Sequence, residues 1–388
     1  MKKRYLVIGI ILSLVCMSIT PSFAQHIEKS YQPSQRTITV DDEGDGDYIS
    51  IIDALVHSVS SDIIEVYSGN YTLVTASMSK NGVTLRGIPY ELGVGNDSGK
   101  PLITGYKQPN LLTIIANYCV FDGFNVSTEG GTPFNLIEVK GKNNIISNNI
   151  FSGSTIFYAV FINENAYGIS IINNTFNHKN PIQVEGVETN ISFNRFNNGS
   201  EAIVIKGWSS NTKVYRNIIN NFWRGVSFGQ DSIISYNLIS NCSIGVDMDS
   251  CKNMVVSNNV IKDCGTGIES EAINSTIFRN EIRNCGCGVD ILLNSDTGIV
   301  KHNNFINNTQ DVTFFQWFPI RRHRLLNLIF IRNYYDSSQG KIIKFINGTA
   351  IIFFIPIPAP PPILIYIIPI TMPWICWEWF PAKEPYNI

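Results

Sequence analysis

Three carboxylates, Asp247, Glu269 and Asp290, recur at intervals of 22 and 21 residues, and two more, Asp249 and Glu271, repeat at the same step of 22. Each belongs to a short stretch that alternates polar and apolar residues. In Val246-Asp247-Met248-Asp249 the apolar pair and the acidic pair fall on opposite sides of a β-strand. Strands stacked about 4.8 Å apart would bring the five acids together as one patch over three coils. Carboxylates that close repel one another. A cation such as Ca²⁺ at Asp247, Glu269 and Asp290 relieves the repulsion, and so does a shared proton with a raised pKa. Paired carboxylates also suit acid–base attack on a glycosidic bond, which makes Asp247, Glu269 and Asp290 the candidate catalytic set. Lys206, Arg224, Asp249 and Glu271 are the candidate substrate-binding residues. A base that removes the proton alpha to a uronate carboxyl needs a nearby cation to hold the enolate, and Lys206 or Arg224 has the required charge. The plainer reading is an ordinary polar outer face that happens to be acidic.

Stacked strands require a repeat, and the sequence has one. The frame Asn, any residue, Phe or Ile, any residue, polar residue starts at Asn149, Asn174, Asn194, Asn217, Asn237, Asn259, Asn280 and Asn303, with steps of 20 to 25. Weaker members precede it at Arg86 and Asp122. In phase with this frame run Gly225-Val226, Gly245-Val246, Gly267-Ile268 and Gly288-Val289. Val255 to Ser257 and Val260 to Lys262 are two further short strands, with Asn258-Asn259 at the corner between them. Three strands and three turns in about 22 residues make one coil of a parallel β-helix. The chain is therefore expected to be all-β, a right-handed single-stranded parallel β-helix of about ten to twelve coils. A corner inside such a stack leaves backbone groups unpaired, and an Asn side chain can both donate to and accept from its neighbours along the column. Asn also tolerates the left-handed backbone of a sharp corner. Of 42 asparagines, none precedes Asn70, so the excess belongs to the repeat. Cys242, Cys264 and Cys285 form another column, read either as a soft-metal or redox stack or as a ladder of small buried side chains.

The repeat must be capped at both ends. Residues 37–79 are expected to open it, with a strand at Ile38 to Val40, a Gly/Asp turn from Asp41 to Asp47, and a helix over Ile49 to Val59 lying across the core on Ile51, Ile52, Leu55, Val56 and Val59. Before the cap, residues 1–24 have a basic start, an apolar core and a small-residue cleavage site at Ser22-Phe23-Ala24, the pattern of a signal peptide, with 25–36 as linker. Without residues 1–24 the charge balance is 26 basic to 31 acidic, or −5, which disfavours a nucleic-acid partner. The body of the repeat is assigned to 37–310. Residues 311–388 are assigned to a closing coil and an apolar, Pro-rich segment without a charge from Phe345 to Trp377. Prolines 356, 358 and 360 to 362 disfavour a membrane helix over 345–377. An extended segment packed over the last coil is preferred, with membrane contact as the alternative.

The strings Gly46-Asp47-Tyr48-Ile49-Ser50-Ile51-Ile52-Asp53-Ala54-Leu55 and Ile64-Glu65-Val66-Tyr67-Ser68-Gly69-Asn70-Tyr71 resemble the opening of secreted pectin-lyase-like β-helix proteins. The later coils are similar to the repeats of that superfamily, of its periplasmic copper-enzyme maturation branch and of archaeal surface proteins. Asn333-Tyr334-Tyr335-Asp336 resembles an Asn-Tyr-Trp motif that closes such helices. The resemblance covers about residues 37 to 336. It implies a sugar groove along the solvent face of the first sheet, the one built from Gly-Val-Asp-Met-Asp strands. The outward columns there read Glu138, Gln183, Val204, Ser227, Asp247, Glu269, Asp290, and Lys140, Asn163, Glu185, Lys206, Gly229, Asp249, Glu271, Leu292. The polygalacturonase strings Asn-Thr-Asp, Gly-His-Gly and Arg-Ile-Lys are absent, as is the pectate-lyase string Trp-Ile-Asp-His. Five His and four Met beyond residue 24 are scattered, without a clustered copper set. Three functions follow as expectations. The first is an exported or cell-surface protein that engages polysaccharide as a binding or structural module. The alternatives are a polysaccharide lyase or hydrolase, and a periplasmic maturation or carrier protein.

Overall fold

Asparagine decides where each coil turns. In the computed structural model, nine asparagines from Asn149 to Asn333 form one continuous ladder inside the stack. Each of the first eight donates its backbone N–H to the side-chain oxygen of the next. Each side-chain amide from Asn174 onward returns to a backbone carbonyl of the preceding coil, as Asn237 Nδ2 does to Val214 at 2.9 Å. Asn333, placed in the closing motif by the sequence, is the ninth rung. The weaker members sit elsewhere. Asp122 lies in register with Ser147, and Phe124 occupies the slot below Asn149. Asp122 instead accepts from Ser147 Oγ and Asn148 Nδ2. The left-handed residue of the corner is the one before each rung. It is Asn at 148, 173 and 258, but Phe193, Arg216, Tyr236, Arg279, His302 and Arg332 elsewhere. The ladder Asn is thus selected for its two-way hydrogen bonding and not for its backbone.

The structure describes residues 35–388 except 106–109, 129–134, 154–156, 292–297, 318–328, 337–342, 358–365, 380–381 and 383. The expected signal peptide and most of the linker lie outside these residues. Parallel pairing arranges the coils into three faces of a right-handed β-helix, of which the first and third sheets are continuous as one sheet of 23 strands. The second sheet holds thirteen strands, from Thr37–Val40 to Ile329–Ile331. The third sheet follows the Asn corner, with strands such as Val260–Lys262 on Glu281–Arg283. The first sheet stacks Ile244–Met248 on Thr266–Ser270 and then Cys287–Ile291. Inward positions repeat their chemistry from coil to coil. Phe151, Phe176 and Phe196 stack with ring centroids 4.9 Å apart, and Tyr335 closes the far end on Phe305 at 5.1 Å.

The glycine column has a steric cause. A Cβ on Gly245 would lie 2.5 Å from the Gly267 carbonyl oxygen, and one on Gly267 would lie 2.6 Å from that of Gly288. Gly245→Ala is therefore expected to cost about 1–3 kcal/mol, because backbone and not a flexible side chain must yield. Equilibrium urea unfolding would read this, and an unchanged midpoint would contradict it.

The opening cap differs in detail from its expectation. The helix spans Ile51–His57 and starts at Ser50, whose side chain accepts from Asp53 N. It buries Ile51, Ala54 and Leu55, whereas Ile49, Val56 and Val59 face solvent. A seven-residue helix has too few turns to bury both edges of the apolar pattern. At the other end, Ile343–Ile357 and Tyr366–Trp379 pair antiparallel, from Ile343 against Trp379 to Ile357 against Tyr366. The first of them joins Gln310–Trp317 in parallel. Both strands are extended, and the chain then returns to the last coils, where Tyr386 exchanges two hydrogen bonds of 2.7 Å with Asn304. Among the described residues no helix is long and apolar enough to cross a membrane.

Candidate functional site

Register brings the acidic columns together. Ser227, Asp247, Glu269, Asp290 and Thr313 follow one another on adjacent strands of the first sheet. Toward the start the column continues through Val204, Gln183, Phe161 and Glu138. Phe161, in a coil without the Gly frame, completes the first column. Lys140, Asn163, Glu185 and Lys206 follow in step as the second. Leu292 lies outside the described residues. The outward face is nevertheless not open along its length: Glu138, Gln183, Val204, Ser227 and Asp247 are buried, Asp247 to 1 % exposure.

Arg224 is what covers Asp247. It sits on the neighbouring coil, with Nε 2.8 Å from Asp247 Oδ2 in an ionic contact without hydrogen-bond alignment. Its NH1 reaches Glu201 Oε1 at 3.1 Å, and its guanidinium lies 4.2 Å over the Trp223 ring. The Phe228 ring centroid lies 5.8 Å from the same guanidinium. Trp223 is 51 % exposed, and Trp208 is 64 % exposed. Two carboxyl groups and an aromatic face thus hold one planar cation at a partly open position. Glu201, Trp208, Trp223 and Phe228 were not singled out in the sequence. Glu201 was within reach of it, since it precedes Arg224 by 23 residues, the step between Asn194 and Asn217.

The remaining acids separate by environment. Asp247 is raised above the ordinary carboxylate range chiefly by burial, while the Asp249 N–H and Arg224 pull it back. The Asp249 N–H donates to Asp247 Oδ1 at 3.0 Å. Glu269 is raised by burial and then by the charges of Asp247 and Asp290. Glu271 is raised by burial and by Asp249. Asp290 Oδ1 accepts from Thr313 Oγ1 at 2.7 Å. Among the described residues, the acidic triads whose ligand atoms converge within 4.8 Å are Asp41, Asp42, Glu43 and Glu43, Glu91, Asp97, not the three acids of the first sheet. The geometry there offers a strip that runs from a fixed guanidinium to half-open carboxyls. It suits hydrogen bonding to hydroxyl-rich or carboxylate-bearing chains. Lys206 lies in the second column, two coils before Asp249.

The cysteine column is a buried ladder. Cys242, Cys264 and Cys285 are free, and each thiol donates to the carbonyl two residues before it, at 3.2 to 3.4 Å.

Fold, ladder and outward columns define the class: the chain is a parallel β-helix repeat protein. Within that class, residues 182–316 match the family model described as "Periplasmic copper-binding protein (NosD)". No curated protein matches the chain. Solved structures similar to it include the alginate lyase AlyF-OU02 in complex with G6, at 16 % identity and TM-score 0.55, over 78 % of this chain and 86 % of that one. The Dettilon tailspike protein is similar at 13 % identity and TM-score 0.56, over 79 % and 69 %. A DFA-IIIase from Arthrobacter chlorophenolicus A6 in complex with GF2 is similar at 11 % identity and TM-score 0.53, over 74 % and 89 %.

Proposed function

We propose that this is an exported, extracytoplasmic β-helix that engages polysaccharide as a binding or structural module along the outward face of its first sheet. The observation that carries the reading is Arg224, held by Asp247 and Glu201 and stacked on the exposed ring of Trp223. A fixed guanidinium beside an exposed indole suits a sugar chain, because the ring stacks on the apolar face of a pyranose and the cation takes its hydroxyls or carboxylate. Glycan-handling proteins among the similar structures support the reading as analogy. In this proposal Asp247 fixes Arg224, and Glu269, Asp290, Asp249, Glu271 and Lys206 meet the ligand. The test uses the purified protein with acidic and neutral polysaccharides, with and without Ca²⁺, following binding and product masses. Trp223→Ala should weaken binding about tenfold, the equivalent of ~1.4 kcal/mol. No binding to any glycan would sink the proposal. Fragments lighter by one water would convert it to a lyase, and hydrated fragments to a hydrolase.

The family match over 182–316 favours a second reading, a periplasmic maturation or carrier protein. Equilibrium dialysis against copper discriminates the two: stoichiometric retention indifferent to Trp223→Ala would support the carrier.

A further inference from the structure

The turn that opens the helix gathers carboxylates with nothing to neutralise them. One oxygen from each of Asp41, Asp42 and Glu43 lies within 4.8 Å of the other two, and Glu43, Glu91 and Asp97 form a second such set. Among the described residues no Lys or Arg pairs with any of the five.

Two unpartnered oxygens distinguish this cluster from a solvated acidic turn. Asp41 is wholly buried. Its Oδ2 accepts from Gly44 N and Asp45 N, both at 3.1 Å, but its Oδ1 is buried with no hydrogen-bond partner. Asp42 repeats the arrangement: Oδ2 accepts from Asn70 N at 2.9 Å, and Oδ1 is buried without a partner. Gly69 keeps the space beside that second oxygen open, since a Cβ there would overlap it. An ionised oxygen shut off from water and donors is costly unless a cation meets it. Three carboxylates at short range on a turn match the hard-oxygen, irregular coordination that Ca²⁺ accepts and Mg²⁺ resists.

We infer that Asp41, Asp42 and Glu43 bind one calcium-type divalent cation, with water completing its shell, and that Glu43 ties the ion to Glu91 and Asp97. The ion would then clasp the opening turn to the loop at 91–97. That loop is already fastened by Val94 N on Asp45 Oδ2 at 2.7 Å. The inference is independent of glycan binding, because the acids of the first sheet belong to other coils.

Calorimetry of the full chain, stripped with EDTA and titrated with CaCl₂, should show one ion with a Kd on the order of 0.1–1 mM, the range of extracellular modules. About 10 mM Ca²⁺ should raise the melting temperature by several degrees over EDTA. Glu43→Gln, at an exposed position, should weaken binding about tenfold and remove most of the thermal shift. Asp247→Asn and Glu269→Gln should leave both intact. Terbium locates the ion. Tyr71 Oη lies 3.5 Å from the Val40 carbonyl, next to Asp41, so tyrosine-sensitised Tb³⁺ emission should fall in Tyr71→Phe while calorimetric stoichiometry stays at one. No Ca²⁺ binding at about 10 mM, equal affinity for Mg²⁺, or binding unchanged in Glu43→Gln would each overturn the assignment.

Discussion

Asn237→Ala should lower stability by about 3–5 kcal/mol, more than an average core truncation of similar size. Asn237 is 2 % exposed and works in both directions along the stack. Its Oδ1 accepts from Asn217 N at 2.9 Å and from Asn217 Nδ2 at 3.0 Å. Its own Nδ2 donates to the Val214 and Ser235 carbonyls and to Asn259 Oδ1. Alanine leaves the Asn217 N–H without a partner where water cannot replace it, an orphan that costs about 1–3 kcal/mol on top of the lost packing. The exposed column provides the control. Asn221 Nδ2 also bonds an asparagine one coil away, Asn198 Oδ1 at 2.6 Å, but in solvent. Asn221→Ala should stay within about 0.5 kcal/mol of the parent. Urea unfolding followed by circular dichroism would measure both. Equal losses at the two sites would mean that burial of the ladder does not set its worth.

The same contrast explains what the sequence exposes and what it hides. The ladder asparagines and the stacked glycines are fixed by backbone geometry that recurs in every coil, so their spacing is visible as a period. The register of Asp247, Glu269 and Asp290 follows from that period, and the strand pairing agrees residue for residue. Burial of the outward face carries no such period. It depends on Arg224 folding back over Asp247 and on Trp223 beneath the guanidinium, contacts between neighbours unrelated by the repeat. The opening turn is hidden for the same reason: Asp42 reaches Asn70 and Asp45 reaches Val94 across 28 and 49 residues. Asp122 was misplaced because the corner before the first rung is filled by Phe124, whose N–H uses the Asn149 oxygen without any side-chain amide of its own.

Arg224→Met should be the most damaging change on the outward face, costing about 3–5 kcal/mol at neutral pH, because it strands Asp247 as a buried, unpaired charge. Asp247→Asn should cost less, since Arg224 keeps Glu201 at 3.1 Å and part of its side chain reaches solvent. The double variant should regain most of the loss, the coupling expected of a pair in direct contact. The pH dependence gives the sign. Burial already raises Asp247 above the ordinary carboxylate range, and Arg224 is one of the groups that pull it down. Without Arg224 the folded-state pKa rises further above the unfolded value of about 3.9. The folded state then binds a proton that the unfolded state releases, so stability falls as pH rises through that interval and recovers on acidification. The deficit of Arg224→Met relative to the parent should therefore shrink between pH 7 and pH 4, and that of the double variant should stay flat. A deficit independent of pH would show that Arg224 acts by packing on Trp223 and not by neutralising Asp247. In that case a glycan carboxylate would meet a guanidinium whose charge is already shared only with Glu201. If the deficit does shrink, Arg224 is held by two carboxylates, and neutral hydroxyl-rich chains become the better match for the strip.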